Sequence, residues 1–347
     1  MRGFADLKSI LAFPVCAAGG AVAWWAGVPA PWLAGAMVAA AAAGLAGLPV
    51  KVPKGPTTAI LILLGVQIGA SVTWETLHSM LAWPATMATL VLAVAAVIWA
   101  GYFFYRRVMG WDRATSFYAA NPGALALNLL LAEKYGARVE RVAIIQCMRL
   151  FFLVAGLPLL VSGFGDGGAP SGTLDSDTSV PDLIVAILAG AVAGLGAERV
   201  GLPGGALLGA LIVSAALHLG GVVHGILPGW VVIPCFIVLG MVVGARFQGL
   251  RPVELAGLAM PGTLGFLVAV AVSSAGAVVA ALLSGLPVAL TLLAFAPGAI
   301  EVMLILAFAL QLDPAFVAAH QVSRYLILSI VIPIVAEWMN RRPVTDD

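Results

Sequence analysis

Long apolar runs, broken by short polar or Gly/Pro-rich stretches, set the pattern of this chain. Runs of about 17 to 25 apolar residues are long enough to cross a bilayer as helices. The pattern predicts such spans over 9–27, 31–50, 57–73, 83–104 and 142–163, and again over 182–198, 204–222, 230–246, 258–283 and 317–338. Two further apolar stretches, 114–132 and 287–311, are each cut in the middle, at Asn121-Pro122-Gly123-Ala124 and Ala296-Pro297-Gly298-Ala299. A Pro-Gly break removes a backbone donor and frees carbonyls, which hydrocarbon penalises unless protein or a lined cavity satisfies them.

The two breaks are 297 − 122 = 175 residues apart, and the interval recurs. Gly65 matches Gly240, Gly69 matches Gly244, Gln146 matches Gln321, Arg149 matches Arg324 and Pro158 matches Pro333. The chain therefore reads as two copies of one unit. Paired interruptions at corresponding positions of two halves are the best sequence pointer to a transporter's binding site.

Basic residues set the orientation, because loops rich in Lys and Arg stay on the cytoplasmic side. With the amino terminus inside and both Pro-Gly stretches re-entrant, 15 of the 17 Lys and Arg lie at that side, leaving Arg149 and Arg324 within the membrane. Twelve full crossings would instead put Lys134, Arg138, Arg141, Arg199, Arg246 and Arg251 outside. Five crossings per copy invert the second copy, so the hairpins enter from opposite faces and their tips meet near the midplane. The expected fold is an all-α polytopic membrane protein, an inverted repeat of two units with five transmembrane helices and one re-entrant or broken Pro-Gly helix each. Its first repeat covers 1–163, an acidic extracytoplasmic linker 164–181, and the second repeat 182–347, both termini being cytoplasmic. Arg2 to Ala23 has the basic and apolar regions of a signal peptide but fills the place in copy one that 183–196 fills in copy two; it is read as a retained helix.

Composition agrees: 62% apolar and 10% charged residues leave too little polar material to cover a soluble surface. Cys16, Cys147 and Cys235 all fall in apolar spans, which implies no disulfide framework or CxxC metal site. Trp24, Trp25, Trp32, Trp74, Trp83 and Trp230 at outer helix ends, with Trp111 and Trp338 at inner ones, read as an interfacial belt. There is no GxxxxGK[ST] for ATP, no HExxH, and no basic helix of DNA-binding type outside the membrane. His78, His218, His224 and His320 are scattered near helix ends. No enzyme activity, metal or cofactor is expected.

Arg149 and Arg324 are the strongest candidates, each about seven residues and ~10 Å into its predicted span. Gln146 and Gln321 stand at i−3, so amide and guanidinium share one helix face. These arginines either bind an anionic substrate group or tie down hairpin carbonyls or Glu301; both roles use the same donors. After each Pro-Gly the chain restarts as a helix, offering unpaired N–H groups to an anion. The tip residues Asn121, Pro122, Gly123, Ala124, Pro297, Gly298 and Ala299, together with Asn128, complete the substrate-binding set. Glu301, whose copy-one counterpart is Ala126, either carries a coupling ion or serves as counter-ion to an arginine. Gln67 and Ser71 are possible ligands to substrate or ion, with Gln67 assigned to ion coupling, and Gly65, Gly69, Gly240 and Gly244 are helix contact points.

The motifs Pro31-Trp32-Leu33-Ala34-Gly35-Ala36, Asn121 to Ala124, Leu131 to Ala137, and Gln146 to Pro158 resemble the bacterial AbrB membrane family. That family is an internal duplication whose members carry the labels of gene-expression regulator or ammonia monooxygenase. The resemblance covers essentially the whole chain, with Ala124 and Ala299 standing where members often have a second glycine. It implies a bacterial inner-membrane protein. The residues themselves favour a secondary transporter of a small anionic or zwitterionic solute, coupled to H+ or Na+. The alternative is a membrane sensor that binds a ligand without moving it. The expected partners are the lipid bilayer, that solute and that ion, with no nucleic acid; a homo-oligomer is compatible with the layout.

Overall fold

Backbone N–H and C=O groups inside hydrocarbon must be satisfied within their own segment, so apolar runs of this kind fold as helices. A computed structural model describes residues 2–74, 83–123, 125–163 and 179–341. Among these residues the regular elements are all helical. Six stretches are long and apolar enough to cross a membrane: Trp83–Val108, Val139–Val161, Val180–Arg199, Gly229–Phe247, Pro252–Ser284 and Pro314–Glu337. That is the make-up of a helical membrane protein.

In chain order the helices are α1 (Arg2–Trp25), α2 (Pro31–Leu45), α3 (Lys54–Ala70), α4 (Trp83–Phe103), α5 (Arg113–Ala120), α6 (Leu125–Lys134) and α7 (Val139–Ser162). They continue as α8 (Val180–Arg199), α9 (Gly205–Leu219), α10 (Gly229–Gly244), α11 (Pro252–Ser284), α12 (Val288–Phe295), α13 (Ile300–Ala309) and α14 (Pro314–Arg341). The expected spans 31–50 and 204–222 end early, leaving α2 and α9 at 15 residues each, about 22 Å of helix against a core of ~30 Å. The cause is local. Past α2 comes Gly47 at φ 84, past α9 comes Gly221 at φ 67, and a residue at positive φ terminates a helix while the apolar composition runs on. Most of the expected linker, residues 164–178, lies outside the described residues.

The chain divides into two compact units, each drawing on both halves of the sequence: Met1–Leu81, Leu153–Pro252 and Ile300–Ala318 in the first, Ala82–Phe152, Val253–Ala299 and Ala319–Asp347 in the second. In the first unit, helices that are apolar all round pack through their smallest residues. α3 lies on α9 and α10 on α2. A Cβ added at Gly69 would fall 2.4 Å from the Leu211 carbonyl, and one at Gly244 2.5 Å from the Met37 carbonyl. Only glycine permits that backbone approach, the usual device of helix pairs that cannot rely on a hydrophobic drive in lipid. Ser214 Oγ donates to the Val66 carbonyl at 2.7 Å across the α3–α9 contact.

The second unit holds both Pro-Gly breaks. α4 continues as a π turn, Phe104–Val108, which carries Tyr105 onto the Trp111 ring at 4.9 Å. Asp112 caps α5 by accepting from the Thr115 N–H at 2.8 Å, and Thr115 Oγ1 accepts from the Arg138 N–H at 2.8 Å just before α7. Two of the tryptophans assigned to the interfacial belt are inside the protein instead. Trp111 is 7% exposed, stacked on Tyr105 and covered by Arg141; Trp83 is 9% exposed beside His320. Both rings find protein contacts that lipid headgroups would otherwise supply. Trp25 and Trp230 are 85% and 78% exposed.

Candidate functional site

Proline at 122 and 297 splits each apolar stretch into a half-helix of 8 residues and one of 10. The bounds of these halves stand 175 apart, as 288 − 113 and 300 − 125, and so do the starts of the helices that follow, 314 − 139. Each break leaves the last carbonyls of its first half-helix without their usual i+4 donors. Arg149 and Arg324, ten residues after the starts of α7 and α14, supply those donors.

At the first break Gln146 Nε2 donates to the carbonyls of Tyr118 at 3.0 Å and Asn121 at 2.9 Å. Arg149 Nη1 donates to the same Asn121 carbonyl at 3.1 Å, and its Nη2 to Gln146 Oε1 at 2.7 Å. Asn121 and Asn128, both fully buried, close on each other. Asn121 Nδ2 donates to Asn128 Oδ1 at 2.7 Å, and Asn128 Nδ2 returns to the Asn121 carbonyl at 3.3 Å. Asn121 Oδ1 accepts from the Gly123 N–H at 3.1 Å.

The second break repeats the scheme with different ends. Gln321 Nε2 donates to the carbonyls of Leu293, Ala294 and Ala296 at 3.3, 3.1 and 3.1 Å. Arg324, 4% exposed, donates from Nη1 to Ala296 and from Nη2 to the Gly298 carbonyl at the tip. Its second arm therefore leaves Gln321 Oε1 alone, and that buried oxygen has no hydrogen-bond partner. The buried Tyr118 hydroxyl at the first break has none either. Buried polar atoms without partners are uncommon in native folds, and each calls for an explanation.

The two breaks meet. Pro122, Pro297 and Arg324 line one small cleft with Ser273, Phe295 and Val97, with room for about one water molecule and no Asp or Glu in its wall. An arginine carries five N–H donors, and the bonds above use two of them at each site. Guanidinium donors left over in this way suit the oxygens of a carboxylate or phosphate. Among the described residues no three His, Cys, Asp or Glu side chains gather closely enough to hold a metal ion.

Gln67 and Glu301 belong to the first unit. Gln67 is buried and its Oε1 accepts from the Leu227 N–H at 2.6 Å; Glu301 is half-buried in the first turn of α13. Ser71 Oγ donates back to the Ile68 carbonyl at 2.7 Å, a local helix-end bond. Gly298 and Ala299 are half-buried, and Ala124 lies outside the described residues.

A family model described as "Transition state regulatory protein AbrB" matches residues 32–340. The chain belongs to the AbrB family. Its relatives include "Uncharacterized protein YhjN" of Bacillus subtilis (strain 168), 26% identical over 360 aligned positions that cover 94% of this chain and 92% of that one. "Putative regulator AbrB" of Escherichia coli (strain K12) is 24% identical over 330 positions, covering 90% of this chain and 91% of that one.

One residue that the sequence left unassigned in this AbrB-family chain joins the site. His320, next to Gln321, is fully buried. Its Nε2 lies 2.8 Å from Thr86 Oγ1, with Trp83 and Phe295 around the ring at centroid distances of 6.4 and 6.0 Å. Its signal in the sequence was its place one turn before Arg324, on the same helical face.

Proposed function

We propose that this AbrB-family protein is a secondary transporter of a small anionic or zwitterionic solute, coupled to H+ or Na+, and not an enzyme. The cleft on which Pro122, Pro297 and Arg324 converge carries the reading. Broken helices at matched positions of two halves, brought together around a buried cation, are the architecture of a midplane solute site. An unpaired guanidinium in the membrane is expensive, and an anion that uses its remaining donors offsets part of that cost.

The layout that serves this function is an inverted repeat, with ten crossings and two re-entrant hairpins entering from opposite faces of the bacterial inner membrane. Two observations support it. Helix bounds recur 175 residues on, and half-helices of 8 and 10 residues, about 12 and 15 Å long, are each too short to cross alone. In this layout alternating access runs around the two hairpin tips, while the site reads the solute through Arg149 and Arg324. A second reading, a ligand sensor that does not move its ligand, is favoured by the word "regulator" in the name of the Escherichia coli relative.

Uptake of labelled monocarboxylates, dicarboxylates and amino acids into proteoliposomes tests the first reading. Arg324→Ala is expected to cut uptake about 100-fold, the loss of a buried charge-assisted bond of ~3 kcal/mol. Saturable binding with no flux in the wild type selects the sensor.

A further inference from the structure

Gln321 Oε1 is buried and no group donates to it. The orientation of the amide is fixed by its nitrogen, which faces the carbonyls of Leu293, Ala294 and Ala296 at 3.3, 3.1 and 3.1 Å. An oxygen in that place would meet three acceptors. A buried acceptor left open costs stability, and such atoms mark strain or function in native folds.

The first copy shows what can fill this position. Residue 321 − 175 = 146 is Gln146, and 324 − 175 = 149 is Arg149. Arg149 Nη1 donates to the Asn121 carbonyl at 3.1 Å, and its Nη2 to Gln146 Oε1 at 2.7 Å. Arg324 Nη1 has the matching anchor, the carbonyl of residue 121 + 175 = 296. The two arginines differ in the other arm, since Arg324 Nη2 donates to the Gly298 carbonyl. In both copies glutamine and arginine stand three residues apart on one helix, so the reach that Arg149 has to Gln146 belongs to Arg324 as well. A turn of the guanidinium about its Ala296 anchor carries Nη2 from the tip to Gln321 Oε1.

That change of partner has different consequences at the two breaks. While Arg149 faces its glutamine, Asn121 and Asn128 hold the first tip through bonds of 2.7 and 3.3 Å. Their counterparts are Ala296 and Met303, which cannot form such a ring. When Arg324 turns to its glutamine, the Gly298 carbonyl loses its side-chain donor and nothing of that kind takes over.

We infer that Gln321 is a positioning residue that unlatches the second Pro-Gly tip. Arg324 has two stations, Gly298 with the tip held and Gln321 with the tip released. Gln321, Arg324, Ala296 and Gly298 all belong to the second unit. In the transport cycle proposed above, on which this role rests, the held station closes the cleft lined by Pro122, Pro297 and Arg324, and the released station opens it to the solute.

Maleimide labelling of purified protein in lipid nanodiscs tests the two stations, with Ala299→Cys as the reporter beside Gly298. The native Cys16, Cys147 and Cys235 are buried. Gln321→Met and Gln321→Glu both give up the three amide donations, and only the glutamate offers Arg324 an acceptor. Gln321→Met is expected to label about fivefold more slowly than the reporter parent, because Arg324 has no second partner. Gln321→Glu is expected to label about fivefold faster, since a carboxylate draws the guanidinium from Gly298. A glutamine that merely ties down the hairpin would give faster labelling in both. Faster labelling in Gln321→Met, or equal rates in the two variants, overturns the inference. If neither variant assembles, Arg324→Lys decides. A lone ammonium replaces the planar fork that spans Ala296 and Gly298, so labelling is expected to rise about fivefold, and an unchanged rate overturns the latch. Exchange of labelled lactate, succinate and glutamate in proteoliposomes separates the two readings. A wild type that exchanges none of them overturns transport, while the labelling rates still decide whether Arg324 has two stations. A wild type that exchanges a solute while the two 321 variants label alike leaves transport standing without the latch.

Discussion

At the first break a ring of side-chain hydrogen bonds between Asn121 and Asn128 holds the turn, whereas the matching positions of the second break are Ala296 and Met303 and the backbone must close itself. There the Gly298 N–H donates to the Ala296 carbonyl at 2.8 Å, in place of the bond from Gly123 to Asn121 Oδ1. The arginines differ accordingly. Arg149 turns one arm back to Gln146, so the Gly123 carbonyl takes nothing from it, while Arg324 spends that arm on Gly298 at the tip. The first tip is thus self-contained and the second hangs on one guanidinium. In a transporter, two similar hairpins that differ in this way suit one fixed and one movable wall.

The largest effect expected from this difference is on stability. Arg324→Ala strips the Gly298 carbonyl of its side-chain donor and the Ala296 carbonyl of one of three donors. The expected cost is about 3 kcal/mol, the range for breaking a buried charged interaction. Arg149→Ala leaves the Asn121 carbonyl with Gln146 and Asn128 and is expected to cost about 1.5 kcal/mol. Chemical denaturation of the two variants in detergent measures the gap; equal losses would erase the contrast between a self-contained and a dependent tip.

A smaller effect comes from converting the first tip towards the second. Asn121→Ala and Asn128→Met are each expected to cost about 1–2 kcal/mol, because each leaves the other's amide buried and unpaired. The double variant is expected to cost about 1 kcal/mol less than the sum, the coupling of two residues that bond directly. Strict additivity would show that the ring contributes nothing as a pair.

Which parts of this site could be read from the chain follows from the distances over which they act. The Pro-Gly breaks and the Gln-x-x-Arg spacing are local, and Pro122, Pro297 and Arg324 do line one cleft. What the arginines touch was open, since each bond spans 28 residues and a guanidinium suits a carbonyl or an anion equally; contact with Asn121 and Ala296 settles the resting partner. Thr86 and His320 are 234 residues apart, and neither lies in a motif. Helix ends misled for another reason: the apolar runs at 46–50 and 220–222 continue past glycines at positive φ, so hydropathy sees a span where the backbone has already turned. Helix pairing was legible only where glycine marked it, as at Gly65, Gly69, Gly240 and Gly244, because helices apolar on every side carry no polar face to orient them.

Glycine at the first tip supplies the smallest expected effect. A Cβ at Gly123 would sit 2.9 Å from Ile332 Cδ1, 3.4 Å from Asn121 Oδ1 and 3.5 Å from Asn121 Nδ2. The first contact is with the free end of a flexible side chain, which can rotate away, and Gly123 is not among the residues at positive φ. Gly123→Ala is therefore expected to cost under about 1 kcal/mol, with the Asn121 ring intact. If the first tip is a fixed wall, solute uptake by this variant stays within about twofold of wild type, since a few tenths of an ångström at Ile332 leave Arg324 and the second tip where they were. A tenfold loss of uptake with unchanged stability would mean that solute passes directly over Gly123. The first tip would then be as much a part of the moving path as the second, and the division between fixed and movable walls would have to be given up.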